Sequence, residues 1–158
     1  DVIPYISLAG IFTYLLIMGD PTLPNVGGFF KAFEKVKEFL KRLEPHAPSI
    51  LRISMGLALI IGGAYYKIYE PGYALEFVRT HYVNFLPDIG LNFISNEMFV
   101  MMVGVAEVFM GAMLVIGVLP RLVGLATAVM LTVTLKAFGL TELVGHLPLY
   151  AICFALVT

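Results

Sequence analysis

Five long apolar stretches dominate this sequence and restrict what the chain can fold into. A membrane-spanning helix needs about 20 consecutive, predominantly apolar residues. Stretches that approach this length occupy Val2–Gly19, Ile50–Tyr69, Met98–Val118 and Leu122–Phe138, and His146–Thr158 is a shorter fifth stretch. Because 59% of the 158 residues are hydrophobic and 13% are charged, a compact soluble fold would leave much of this apolar surface in water. We therefore predict an all-α integral membrane protein in a lipid bilayer. A soluble enzyme, a nucleic-acid-binding protein and a disordered protein are disfavoured.

The first 48 residues differ in pattern from the rest. Val2–Gly19 lacks the basic start and small-residue cleavage pattern of a signal sequence, so we interpret it as a transmembrane helix. Phe29–Glu44 places apolar residues at helical spacing among many charges, which predicts an amphipathic helix on the membrane surface, on a partner or over its neighbours. Pro45 and Pro48 predict a helix break. Residues 1–48 are thus predicted to form an N-terminal transmembrane helix and an amphipathic linker helix.

Residues 49–158 are predicted to form a four-helix transmembrane bundle. Tyr73–Phe85 is predicted to be a short amphipathic helix with interfacial aromatic residues. The turn around Pro120 is very short, so the helices on either side should form an antiparallel hairpin. We expect Gly139–Gly145 to be a loop and the last helix, His146–Thr158, to be truncated.

The distribution of Lys and Arg predicts the orientation in the membrane, since cytoplasmic loops carry an excess of these residues. The linker holds half of the 10 Lys and Arg residues: Lys31, Lys35, Lys37, Lys41 and Arg42. Residues 20–48 are therefore predicted to be cytoplasmic, with Arg121 on the same side. The loop 71–97, in which Arg79 is the only Lys or Arg, is predicted to be external.

Four Lys, Arg or Glu residues lie within the predicted spans, where each costs about 2.5–3.5 kcal/mol on insertion scales: Arg52, Lys67, Glu107 and Lys136. A helical rise of about 1.5 Å per residue places Glu107 roughly 13 Å, and Lys67 roughly 5 Å, from the outer ends of their helices. We expect a buried polar cluster centred on Glu107, with Lys67 as its preferred ionic partner. Arg52 would approach from the cytoplasmic side, and Lys136 and His146 would lie at the outer rim.

Glycines mark the helix faces that we expect to meet. Gly104 and Gly111 share one helix face with Glu107, and Gly56 and Gly63 lie on one face of the preceding span. Small residues let two helices approach closely in a membrane. The spacing therefore predicts that these two helices pack together and that Glu107 points into the bundle.

The polar cluster has a structural and a functional interpretation, and both remain open. Buried charge pairs often only fix the register and orientation of helices, and Lys or Arg near a helix end can extend to the interface. A carboxyl such as Glu107 can instead relay protons through a membrane.

Metal and haem binding have little support in the residue pattern. The single cysteine, Cys153, excludes an internal disulfide and a multi-cysteine metal site. Met98, Met101 and Met102 cluster at a helix end, where thioethers can bind Cu(I), but methionine more often fills irregular cores. The histidines fall on both predicted sides of the membrane: His46 inside, His81 and His146 outside. We therefore predict that the chain binds no metal or cofactor. A quinone or a lipid stays open as a small ligand.

Two motifs in this order resemble the DoxX family over about residues 49–158. The first comprises polar and small positions of the second predicted span: Leu51-Arg52, Gly56, Gly62-Gly63 and Lys67. The second belongs to the following hairpin: Glu107, Gly111, Leu114, Gly117 and Arg121. The resemblance identifies Arg52, Lys67, Glu107 and Arg121 as the family's polar positions.

The resemblance implies a four-helix membrane bundle in the cytoplasmic membrane of a prokaryote. It also implies association with redox complexes, since some members resemble membrane subunits of thiosulfate:quinone oxidoreductases and others accompany thiol or oxidative-stress enzymes. We therefore expect an accessory or anchor subunit of a membrane-bound oxidoreductase complex, held with other membrane subunits and possessing no catalytic activity by itself. The alternative is a self-sufficient quinone-linked thiosulfate or thiol oxidoreductase, or a small-molecule carrier, that uses Glu107 as a proton relay.

Overall fold

The described part of the chain is helical, as the sequence predicts. The computed structural model describes the backbone of residues 3–18, 41–138 and 140–157, and the side chains of residues 5–18, 41–133 and 146–157. Six α-helices are described: α1 (Ile3–Met18), α2 (Ala47–Gly63), α3 (Gly72–His81), α4 (Asn96–Ile116), α5 (Pro120–Phe138) and α6 (Leu140–Val157). Most of the predicted amphipathic helix Phe29–Glu44, including Lys31 and Lys35, lies outside the described residues.

Helix α2 is the centre of the bundle. It packs against α1, α4 and α6, while α5 packs mainly against α6, and α3 packs against α4. The core contains apolar side chains from α2, α4, α5 and α6, among which Met55, Leu114 and Ile152 are fully buried. The predicted contact of α2 with α4 is therefore the central packing interface of the fold.

The sequence analysis predicted a helix break at Pro45 and Pro48, but the chain continues as a helix through both prolines. Lys41–Leu43 are helical, Glu44–His46 form a 3-10 turn, and α2 begins immediately at Ala47. Pro48 lies in the first turn of α2, where a missing backbone N–H leaves no helical hydrogen bond unmade. The prediction of a break was wrong because both prolines fall where a helix start tolerates them.

A π-helical turn, Ala64–Tyr69, extends α2 directly. The backbone N–H of Glu70 donates to the carbonyl of Tyr65 at 2.8 Å, which is the wider i to i+5 pattern of a π-turn. Lys67 lies in this turn. The sequence analysis predicted a helix over this stretch but not its wider geometry.

The short helix α3 ends earlier than the predicted Tyr73–Phe85. Tyr82 adopts a left-handed conformation, with φ 51°, and closes the helix after His81. Asn84 then orders the connection to α4, since its Nδ2 donates to the carbonyl of Ile94 at 3.2 Å and to Oδ1 of Asn96 at 3.1 Å.

Helix α4 begins and ends at clear local signals. The hydroxyl of Ser95 accepts a hydrogen bond from the N–H of Met98 at 3.2 Å, which caps the helix start. Gly117 ends the helix with φ 90°, a left-handed conformation that glycine adopts without strain. The prediction Met98–Val118 was thus shifted by two residues at each end.

The predicted loop Gly139–Gly145 is helical from Leu140 onward. Helix α6 runs from Leu140 to Val157 and includes Pro148 in its interior. The prediction started this helix at His146, so it missed the first six residues of the helix. Membrane helices tolerate internal prolines better than soluble helices do, and this is the rule that applies to α6.

Two of the described helical segments are long and apolar enough to cross a membrane: Lys41–Tyr69 and Asn96–Ile116. Large apolar side chains also point outward, including Phe109 and Phe154, which are 64% and 73% exposed. Outward apolar surface of this extent is unusual for a soluble monomer. Both observations fit a helical bundle in a bilayer.

Candidate functional site

The contact between α2 and α4 rests on two reciprocal pairs of glycines. A Cβ added to Gly56 would lie 2.7 Å from the carbonyl oxygen of Gly111, and one added to Gly111 would lie 2.5 Å from that of Gly56. Gly63 and Gly104 face each other in the same way. Since no side chain fits at these positions, the two backbones approach closely and hold α2 and α4 in one register.

This register brings Lys67 to Glu107. Nζ of Lys67 lies 2.7 Å from Oε2 of Glu107 and donates a hydrogen bond to it. The Glu107 side chain is 9% exposed and that of Lys67 is 25% exposed. The pair lies beside Gly104, where an added Cβ would be 2.9 Å from Cβ of Lys67. The close glycine contact therefore positions the cation against the carboxylate.

Arg52 does not join this pair, and its predicted place in the cluster was wrong. Its guanidinium Nη1 donates to the carbonyl of Leu114 at 2.8 Å, at the opposite end of α4. There it fills the space that a side chain on Gly117 would need. A cation is favourable at this end of a helix, where carbonyl groups lack helical partners. Arg52 therefore caps α4 and fixes the other end of the α2–α4 interface.

The remaining predicted residues lie apart from the pair or outside the described side chains. Lys136 is in α5, but its side chain is not described. His146 is half-buried in α6. Arg121 is exposed in the first turn of α5, and Lys41 and Arg42 are exposed before α2. These three cations have the exposure expected of orientation anchors, and all lie toward the Arg52 end of the bundle.

A cavity of about 310 Å³ lies next to the ion pair. Its wall combines Lys67 with apolar residues of α3, the following loop, α4 and α5: Ala74, Phe77, Val78, Val83, Phe85, Phe99, Val100, Val103, Met130 and Val133. The volume is at the lower end of the range for small-molecule pockets, which are mostly apolar. This space can hold an apolar group, or part of one, within the bundle.

Aromatic packing shapes one side of this cavity. The rings of Phe85 and Phe99 are 6.4 Å apart and nearly perpendicular, at 78°. Phe77 stacks on His81 with the ring centroids 4.4 Å apart. Val78 of α3 is buried and closes the cavity against α4. Sequence reasoning missed the cavity, although the spacing of Ala74, Phe77 and Val78 indicated an inward face of α3.

The described residues contain no group of three or more His, Cys, Asp or Glu side chains that could hold a metal ion. Met98, Met101 and Met102 of α4 are all about half exposed. Cys153 is buried in the core of α6 as a free thiol.

The DoxX family model matches residues 47–140 of the chain. The match begins at the first residue of α2 and includes α3, α4 and α5, and thus both members of the ion pair and the whole cavity wall. Helix α1 and nearly all of α6 lie outside it. No curated protein and no solved structure gives a significant match. The resemblance seen in the sequence motifs is confirmed, over a shorter range than residues 49–158.

Proposed function

Since this chain belongs to the DoxX family, we propose that it is an integral membrane accessory or anchor subunit of a membrane-bound oxidoreductase complex. The observation that carries the proposal is the apolar cavity next to Lys67 and Glu107. A quinone-linked complex needs a site within the membrane where an apolar ligand can be held. This cavity would supply such a site, and its wall lies within the family region.

The proposed topology has five transmembrane helices. Two described segments, Lys41–Tyr69 and Asn96–Ile116, meet the length and composition of a span, and α1, α5 and α6 are shorter or partly described apolar helices. The linker 20–48 would be cytoplasmic and the loop 71–97 external, in the cytoplasmic membrane of a prokaryote. In this orientation the cavity lies in the outer half of the bilayer, because its wall includes α3 and the N-terminal turns of α4.

In this proposal the ion pair is a scaffold for the cavity. Glu107 is nearly inaccessible and its carboxylate is neutralised by Lys67 at 2.7 Å. A paired charge can be kept within a bundle where an unpaired one would be very costly. The pair fixes Lys67, which forms part of the cavity wall. Substrate oxidation would then take place in cofactor-bearing partner subunits.

A second candidate is a self-sufficient quinone-linked oxidoreductase or carrier, in which Glu107 relays protons. The observation in its favour is the position of Glu107 near the middle of α4, within reach of the cation that lines the cavity. Ionisable residues at membrane depth commonly serve proton pathways. This candidate requires turnover by the isolated chain.

The two candidates are separated by extracting the full chain from its native membrane in a mild detergent. We expect it to co-purify with subunits that carry a flavin, haem or iron–sulfur absorption spectrum, and expect quinone reduction only in that complex. The purified chain alone, given thiosulfate or a thiol and a quinone analogue, should show no turnover. Quinone reduction by the isolated chain would overturn the accessory role and support the second candidate.

Glu107→Gln tests the role of the carboxyl within the complex. Glu97→Gln is the matched control, since Glu97 is also on α4 and also pairs with a cation, Arg79, but its side chain is 55% exposed. We expect Glu107→Gln to reduce the amount of assembled complex while each assembled complex keeps its activity. Normal assembly with lost activity would instead assign Glu107 to proton transfer.

A further inference from the structure

We infer that the cavity binds a single hydrocarbon chain, an acyl or polyprenyl chain, which enters sideways from the bilayer. This inference deepens the proposed function, because it specifies which part of a lipid or quinone the cavity holds. The chemical character of the wall, its opening and its closed side each support it.

The wall suits a chain better than a quinone ring. A ring carries carbonyl oxygens that need hydrogen-bond donors, and burying them without donors is costly. Of the described lining residues, Lys67 alone has a polar side-chain atom, and its Nζ is directed to Glu107 at 2.7 Å. The wall thus presents apolar surface to a ligand, which complements methylene or isoprene units.

The cavity opens onto the lipid-facing side of α5. Val133 lines the cavity and is also 44% exposed, and Phe85 of the loop after α3 lines it and is 45% exposed, so the cavity reaches the surface of the bundle at both residues, and Val133 marks the opening on α5. Val133 continues a stripe of exposed apolar residues with Leu122, Leu125 and Val129, which are 59%, 54% and 58% exposed. Their spacing places them on one helix face. A chain lying along this stripe would meet the cavity at its outer end.

The side of the cavity formed by α3 is held closed. Val78 is buried against the cavity, and Nη2 of Arg79 donates to Oε1 of Glu97 at 2.6 Å. Asn84 ties the following loop to Ile94 and Asn96. These contacts anchor α3 and its loop to α4. The cavity is therefore preformed, and a bound chain need not order its walls.

Two sources share this chemistry, the acyl chain of a phospholipid and the polyprenyl tail of a quinone. In the second case the ring would remain outside the cavity, where a partner subunit can reach it. The experiment therefore uses two probes, a phosphatidylglycerol with a diazirine at the end of one acyl chain and a menaquinone with a diazirine at the end of its tail. Each is photolysed with the full chain in detergent, and the labelled peptides are identified by mass spectrometry.

Val103→Phe fills the cavity, and Val105→Phe is the matched control on the same helix, where Val105 is 54% exposed. We expect at least one probe to label lining residues. Val103→Phe should reduce that labelling by about tenfold, because the larger side chain occupies the space of the ligand and the two cannot both fit without overpacking. Val105→Phe should leave it unchanged. Thermal unfolding of both variants shows whether each is folded. If Val103→Phe fails to fold, Val133→Phe at the opening replaces it, with the same expected loss.

Competition with unlabelled ligands shows whether the cavity binds a hydrocarbon chain or a quinone ring. A tail-less quinone such as duroquinone should not displace the probe, whereas decanoic acid should. Labelling by the phospholipid probe, the quinone probe or both supports the inference and identifies the source. Displacement by duroquinone, equal labelling of the exposed face of α4, or no effect of either filling variant would overturn it. Loss of labelling in a complex that retains its cofactor-bearing subunits would leave the accessory role intact, so the two proposals fail separately.

Discussion

The α2–α4 and α5–α6 interfaces hold the same bundle together in different ways. Between α2 and α4, glycine backbones touch, and a Cβ on Gly111 would lie 2.5 Å from a carbonyl oxygen. Between α5 and α6, side chains separate the helices, and a Cβ on Gly124 would lie 3.2 Å from Cβ of Leu156. The buried Thr127 of α5 bonds within its own helix, to the carbonyl of Val123 at 2.8 Å.

The difference shows that the α2–α4 interface, more than the α5–α6 interface, determines how the helices are arranged. The α2–α4 interface combines backbone contact with an ion pair at one end and a capping arginine at the other. Each of these features depends on the register of the two helices. In its described part, the α5–α6 interface uses apolar and hydroxyl side chains that can repack. Substitutions between α2 and α4 should therefore cost more than comparable ones between α5 and α6.

The largest effect is expected from Lys67→Met. This change leaves the nearly inaccessible Glu107 carboxylate without a partner, and an uncompensated buried charge costs about 3 kcal/mol. Glu107→Gln should cost less, because the Lys67 side chain is 25% exposed and can turn toward water. Reversible unfolding in mixed detergent and SDS micelles measures both. The double variant Lys67→Met/Glu107→Leu should recover more than half of the lost stability. A Lys67→Met variant as stable as the natural chain would contradict the structural role of the pair.

Gly111→Ala should have the next largest effect. Its methyl group would collide with the backbone of Gly56, which cannot move aside as a side chain can, and overpacking of this kind costs about 2 kcal/mol. Gly124→Ala is the matched control at the α5–α6 interface, where the steric cost and the better helix propensity of alanine should nearly cancel. The same unfolding experiment tests both variants. Equal effects at the two glycines would remove the distinction between the interfaces.

Arg52→Gln should destabilise the chain by about 1 kcal/mol, since it removes a charged donor from the carbonyl end of α4. Arg52→Lys should restore part of this loss through its charge. The control is Arg121→Gln, because Arg121 is exposed at the start of α5 and is expected to have no effect on unfolding. If Arg121→Gln proves as harmful as Arg52→Gln, then net positive charge at this end of the bundle, rather than capping, is what matters.

The smallest effect is expected from Arg79→Gln. The Arg79–Glu97 ion pair is short, at 2.6 Å, but both side chains are more than half exposed, and such pairs contribute little to stability. Raising the salt concentration should reduce even this difference, because exposed charges are screened. Unfolding at low and high salt tests it. A loss of stability as large as that of Lys67→Met, and unchanged by salt, would contradict the expected difference between this pair and the buried one.

The sequence was informative where a pattern repeats along a helix. The glycine spacing on α2 and α4 indicates which faces meet, and the positions of Lys67 and Glu107 along those faces indicate that the two residues can reach each other. Helix bounds followed within a few residues wherever a cap or a glycine marks the end, as at Ser95 and Gly117.

Other features depend on three-dimensional details that spacing does not contain. Arg52 shares a helix stripe with Lys67, yet it bonds the far end of α4, because the register that sets Gly56 opposite Gly111 also places Arg52 beside Leu114. The π-turn at Ala64–Tyr69 has no local signal of its own. The cavity needs residues from three α-helices, the π-helical turn and a loop, so it becomes visible only when these are assembled.

The glycine contacts between α2 and α4 are symmetric, whereas the charged contacts between the same helices are not. Each pair of facing glycines is reciprocal, and the pairs are seven residues apart on both helices, so exchanging α2 and α4 would leave the backbone contact nearly unchanged. Glycine spacing alone would therefore accept an antiparallel second α2 as readily as α4. The polar groups are one-sided, since α2 and the π-helical turn that extends it supply both cations and α4 supplies both acceptors. If α2 paired with another α2, the cations of the two helices would lie near each other, and neither would have the acceptor that α4 provides. Charge therefore selects the correct partner where shape does not.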